Sequence, residues 1–83
     1  MISYTLARVQ PAKDVVVYNK IKELAEVKEV ITTYGEYDII IKVEVESLEH
    51  LDDFVFSKLR TIDGVEATTT LIRAGFPKKG EVS

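Results

Sequence analysis

The chain has no cysteine, which removes disulfide staples, thiol catalysis and thiolate metal sites together and fits a reducing cytosol. It has one histidine, His50, and with neither a second histidine nor a cysteine beside it there is no ligand set of the zinc type. Glycine is scarce, at four residues in 83, and none falls in a spaced run of the kind that cradles a phosphate. Positive charge does not dominate: eleven Lys and Arg stand against fourteen Asp and Glu, for a net charge of −3. The basic residues are scattered, whereas nucleic-acid binding draws on clustered cations that displace counterions, and the Lys78-Lys79 pair is too short for a basic arm. No apolar run approaches the roughly 20 residues that cross a bilayer, and Met1 leads directly into a strand-like segment rather than a basic, apolar leader. The expectation is a cytoplasmic chain without membrane contact, without direct DNA binding and with no resident cofactor.

What is present is a short chain that is 46% hydrophobic. A single domain of this length buries only about two thirds of its unfolded surface, so self-association is expected to hide what a third layer would otherwise cover. Ile2 to Val9 is rich in β-formers and stops at Pro11, which offers no ladder donor. From Asp14 the period becomes helical, through Val17, Ile21, Leu24 and Ala25, although Val15-Val16-Val17 is a weak helix opening. Val30 to Thr33 and Ile39 to Val45 are β-branched runs on either side of a glycine turn. Ser47 is a good N-cap for a second helix reaching Thr61, with the stripe Leu48, Leu51, Val55, Leu59, Ile62 and Phe54 beside it. Asp63-Gly64 turns the chain into a fourth strand, Val65 to Arg73, before Gly75, Pro77 and Gly80 dissolve the pattern. This gives a domain over residues 1–74 and a tail over 75–83.

The order is β-α-β-β-α-β, and it repeats: Leu24-Ala25-Glu26-Val27 leads into a strand as Ile62-Asp63-Gly64-Val65 does. Two split βαβ units predict an α+β, ferredoxin-like sandwich, a four-stranded antiparallel sheet with both helices on one face. Strand three alternates Ile39, Ile41, Val43, Val45 with Asp38, Ile40, Lys42, Glu44. The uncovered side is therefore mixed rather than fully polar, and a second subunit can pack there.

The chemistry concentrates in Tyr34-Gly35-Glu36-Tyr37-Asp38. An amino acid needs a negative partner for its ammonium and donors for its carboxylate. Asp38 suits the first, and exposed N–H groups at Gly35 and Glu36 suit the second. Thr68 and Thr70 share a strand face and offer hydroxyls to either end, while Thr33 or Tyr34 can close the site. Packing alone also asks for such residues: a turn glycine, a hairpin-capping aspartate, strand threonines, and core aromatics at Tyr4, Tyr18, Phe54 and Phe56.

Val27-Lys28-Glu29-Val30 leading to Tyr34-Gly35-Glu36-Tyr37-Asp38, then Gly64-Val65, then Thr68-Thr69-Thr70, resembles the effector-binding (RAM) domain of the Lrp/AsnC transcription regulators over residues 1–74. The resemblance implies a non-enzymatic regulatory domain that binds a free amino acid through Tyr34, Gly35, Glu36, Tyr37, Asp38, Thr68 and Thr70. It implies a dimeric α/β-barrel-like homo-oligomer, up to a ring of four dimers, and joint assemblies with full-length family regulators. Family members usually carry a helix-turn-helix domain ahead of this one, and the sequence begins at the first strand, which makes a stand-alone effector domain the expectation. Two alternatives share the fold. A cofactor-independent, monooxygenase-like enzyme would use His50 as base, but no nucleophile–base pair supports it. An ACT-like regulatory module places a glycine at the first strand–helix junction, where this chain has Gln10-Pro11-Ala12-Lys13.

Overall fold

Side-chain alternation sets the sheet. In β1, Ile2–Val9, positions 3, 5, 7 and 9 are buried while Ile2, Tyr4 and Leu6 are half-buried and Arg8 is exposed. The odd positions face a core and the even ones the opposite surface. β3, Ile39–Glu44, repeats this with Ile39, Ile41 and Val43 buried. Flanked by β2, Val27–Thr32, and β4, Val65–Ile72, they form an antiparallel sheet in the order β2-β3-β1-β4. The computed structural model describes residues 1–75, so all of the expected tail after Gly75, including Lys78-Lys79, lies outside the described residues.

Two helices cover the odd face. From α1, Asp14–Lys22, Val17 and Ile21 are fully buried; from α2, Leu48–Asp53, and the turn that continues it, Leu51, Phe54, Val55 and Leu59 join them. The ferredoxin-like α+β sandwich expected from the element order is therefore the observed fold. Ser47 caps α2 as its type demands, its hydroxyl accepting from the His50 N–H at 3.1 Å.

Three local expectations change. Helix α1 ends at Lys22 rather than Ala25, because Glu23 and Leu24 donate three residues back, to Lys20 and Ile21, and tighten the last turn. The second helix widens to π pitch over Phe54–Leu59, with the Arg60 N–H reaching five residues back to the Val55 carbonyl at 2.9 Å. The wider turn seats Phe54, Val55 and Leu59 together on the core side. Leu48, expected in the buried stripe, is 59% exposed.

The internal repeat survives as matched hydrogen bonds. Leu24 bonds to Ile21 and Val27 to Leu24 in the first half, as Ile62 bonds to Leu59 and Val65 to Ile62 in the second. Each turn then offers one carbonyl across the sheet: that of Glu26 accepts from Glu44 N–H, and that of Gly64 from Gln10 N–H. Gly64 has φ +108° and lies against α1; a Cβ there would stand 2.8 Å from Val17 Cγ2 and 3.1 Å from Lys13 Cβ. Both conformation and space demand glycine.

Candidate ligand-binding site

The hairpin between β2 and β3 is closed twice at its base. The Thr33 N–H donates to the Asp38 carbonyl at 2.9 Å, and the Thr33 hydroxyl donates to the Tyr37 carbonyl at 2.8 Å. Gly35 has φ +129° with open space where a Cβ would be, so here conformation alone selects glycine. Among the described residues the N–H groups of Gly35 and Glu36 donate to no protein acceptor, which suits an anion nest.

Asp38 extends the ladder between β1 and β3. Its N–H donates to the Ala7 carbonyl at 2.9 Å, and its Oδ2 accepts from the Val9 N–H at 2.8 Å. One carboxylate oxygen is thereby fixed by the backbone, while Oδ1 has no protein partner among the described residues. Asp38, Thr33, Tyr34, Thr32, Asp14 and Ile39 line a cavity of about 360 Å³. Tyr34 is fully exposed, whereas Tyr37 is half-buried. Tyr37 lies back over the sheet, its hydroxyl 2.9 Å from Thr69 Oγ1 and its ring 5.6 Å from the Arg8 guanidinium. Arg8 also donates from Nε to the Glu36 carbonyl at 3.1 Å, latching the turn onto β1.

Thr68 and Thr70 pair with Ala7 and Thr5 and so share one face of β4, as expected, and that face is the helix-facing one. Thr70 Oγ1 lies 3.5 Å from the buried Thr5 Oγ1. Both threonines line a separate cleft of about 310 Å³ between β4 and the second helix, together with Asp52, Phe56, Arg60 and Ile72. Within one protomer, Asp38 and the two threonines therefore belong to different cavities. Asp52, Phe56 and Arg60 are cleft residues that sequence reasoning missed. The signal was a second stripe at spacing four, Leu48, Asp52, Phe56 and Arg60, beside the buried Leu51, Val55 and Leu59. Phe56, expected in the core, is 59% exposed, and the Arg60 guanidinium stands 5.3 Å from its ring.

His50 is engaged elsewhere. Its Nδ1 accepts from the Glu46 N–H at 3.2 Å, and its Nε2 lies 3.4 Å from Glu26 Oε2. Lys58 Nζ donates to the same oxygen at 2.7 Å. Glu26 is only 8% exposed; the Lys58 hydrogen bond holds its pKa below the ordinary value against the opposing effect of burial, with help from its own backbone and from His50. No group of three or more His, Cys, Asp or Glu is placed to hold a metal among the described residues, and no helix among them is long and apolar enough to cross a membrane.

Residues 3–82 match the family described as the Lrp/AsnC ligand binding domain. The HTH-type transcriptional regulator FL11 of Pyrococcus furiosus is 32% identical over 72 residues, covering 87% of this chain and 47% of its own length. The chain thus spans about half the length of the curated relatives it matches. A Thermus thermophilus protein of known structure is 31% identical with a TM-score of 0.85, covering 93% of this chain and 98% of that one. A Neisseria meningitidis transcriptional regulator solved with L-methionine has the same fold, with a TM-score of 0.78 at 15% identity, over 99% of this chain and 55% of its own.

Proposed function

This chain belongs to the Lrp/AsnC ligand-binding family, and from that membership we propose that it is a cytoplasmic regulatory domain that binds a free amino acid at a site shared between protomers. The observation that carries the reading is Asp38: a half-buried carboxylate, fixed at one oxygen by the Val9 N–H, beside a fully exposed Tyr34 and two N–H groups without protein partners among the described residues. The free Asp38 oxygen takes the ammonium, and the Gly35 and Glu36 N–H groups take the carboxylate. Both half-sites are open in the single chain. A neighbour's Thr68/Thr70 cleft, with Asp52 and Arg60 at its rim, completes the first against Tyr34.

Association supplies the neighbour. The sheet face away from the helices carries Tyr4, Leu6, Ile31, Ile40 and Leu71 among Glu29, Lys42 and Arg8, and Ile31 and Leu71 are 46% and 54% exposed. A twofold pairing of this face gives a dimer, and hairpin-to-cleft contacts between dimers give the larger ring. Joint assembly with full-length regulators of the family through these two surfaces places an amino-acid signal on transcription without this domain touching DNA. A regulator of the same fold is an L-methionine complex, which agrees with the ligand class.

Calorimetry across the amino acids, with light scattering on the same samples, tests the reading. At least one amino acid should bind the oligomer with sub-millimolar to millimolar affinity, and Asp38→Ala should abolish the heat. Absence of binding by every amino acid to a folded oligomer, or undiminished binding by Asp38→Ala, overturns it.

A further inference from the structure

The tip of the β2–β3 hairpin, Tyr34-Gly35-Glu36, is held at a single point. Thr33 closes the base beneath it through Asp38 and Tyr37, while glycine at position 35 leaves the tip itself conformationally free. Among the described residues, the one hydrogen bond that reaches 34–36 from the rest of the chain runs from Arg8 Nε to the Glu36 carbonyl. Arg8 rests in turn over the Tyr37 ring, whose hydroxyl is 2.9 Å from Thr69 Oγ1. Tyr37 thus reaches across β1, from the hairpin to β4, and gives the guanidinium a platform. Arg8 and Tyr37 line neither the Asp38 cavity nor the Thr68/Thr70 cleft. Arg8 stands on the sheet face away from the helices, whereas the cavity wall includes the buried, helix-facing Ile39.

Resting on the amino-acid reading above, we propose that Arg8 and Tyr37 are positioning residues: from the opposite face of the sheet they hold the Gly35 and Glu36 N–H groups in the orientation that receives a carboxylate, without touching the ligand themselves. A tip that samples many shapes binds weakly, because apparent affinity falls in proportion to the fraction of hairpins already in the competent form. Fixing the Glu36 carbonyl removes much of that freedom at the residue whose own N–H belongs to the nest. The task suits arginine and not lysine. A planar guanidinium donates in its plane to the carbonyl while its face stacks on the tyrosine ring, and a compact ammonium cannot do both. The Tyr37 hydroxyl bond to Thr69 keeps that ring in place, so the platform is itself anchored to the strand that carries Thr68 and Thr70.

The experiment is calorimetry of the intact chain with the amino acid that gives the largest heat in the screen above and with its primary amide, which keeps the ammonium and side chain but lacks the carboxylate charge. It is repeated on Arg8→Ala, Arg8→Lys, Tyr37→Phe, Thr69→Val and the Tyr37→Phe/Thr69→Val pair. Arg8 and Thr69 are exposed, so these variants leave the fold in place, which circular dichroism checks. Arg8→Ala and Arg8→Lys should both weaken the amino acid by about three- to tenfold, the scale of one exposed hydrogen bond with its cation–π contact, and both should narrow the preference for the acid over its amide. Tyr37→Phe and Thr69→Val should each lose a smaller amount, and the pair no more than either alone. If Arg8→Lys binds as the parent does, Arg8 acts only as a charge; if acid and amide weaken equally, the latch is only structural. Either result overturns the positioning role while leaving the amino-acid reading intact. If no amino acid binds the parent chain, both fall together.

Discussion

Replacing Lys58 by methionine isolates Glu26, a buried carboxylate that the fold holds in ionised form. Glu26 is 8% exposed, and its Oε2 takes the Lys58 ammonium at 2.7 Å and faces His50 Nε2 at 3.4 Å, while Oε1 is buried without a partner among the described residues. Breaking a fully buried ion pair by removing one member costs about 3–5 kcal/mol. The Lys58 side chain is 43% exposed, so water screens its end of the pair; the working figure is about 1–2 kcal/mol, or roughly 5–15 °C in Tm for a domain of this size. The pH dependence carries the diagnosis. Folding holds Glu26 below its ordinary value of 4.5, so the contribution is complete above that unfolded-state value and is lost as pH falls through the lower folded one. Thermal denaturation of both proteins at one fixed concentration, from pH 7 down to pH 3, should show the stability gap narrowing below about pH 4.5. A gap unchanged across that range would show that Lys58 acts through packing of its methylenes rather than through the Glu26 charge.

Gly35 and Gly64, both at positive φ, should separate in urea denaturation. Gly64→Ala combines an unfavourable φ with a 2.8 Å approach to Val17 Cγ2 and should cost about 2–4 kcal/mol, whereas Gly35→Ala meets open space and should cost about 1–2 kcal/mol; the reverse order would refute the account of the Gly64 turn. Asp38→Asn keeps a carbonyl acceptor for the Val9 N–H but drops the charge. It should stay within about 1 kcal/mol of the parent in stability while amino-acid affinity measured by calorimetry falls about tenfold or more. Equal affinity would remove the ammonium from position 38.

Much of the fold was open to reading because its signals are local. Alternation over Ile2–Val9, the Ser47 cap, the glycine turn at Gly35 and the 24–27 and 62–65 echo each report on a few neighbouring residues, and each reappears in the structure. What stayed hidden depends on partners distant in sequence. The π widening after Asp53 answers to three core side chains competing for one face. Tyr37 lies over the sheet because Arg8 and Thr69 wait there, and Glu26 is buried because Lys58 and His50 reach it across the helix layer. The cleft residues Asp52, Phe56 and Arg60 were masked by the stronger apolar stripe one residue behind them. For the candidate site, residue types were legible and placement was not. Neither the family pattern nor the turn chemistry says that Asp38 and Thr68/Thr70 line different cavities of one protomer.

Subunit complementation addresses the shared site directly. An Asp38→Ala chain and a Thr68→Val/Thr70→Val chain should each fail to bind amino acid alone. Unfolded together and refolded as mixed oligomers, they should regain about a quarter of the wild-type sites, since random pairing joins an intact hairpin to an intact cleft in that share of contacts. Recovery at that level in calorimetry is the predicted result. Mixed oligomers that remain as inert as either parent would contradict a site built from two protomers.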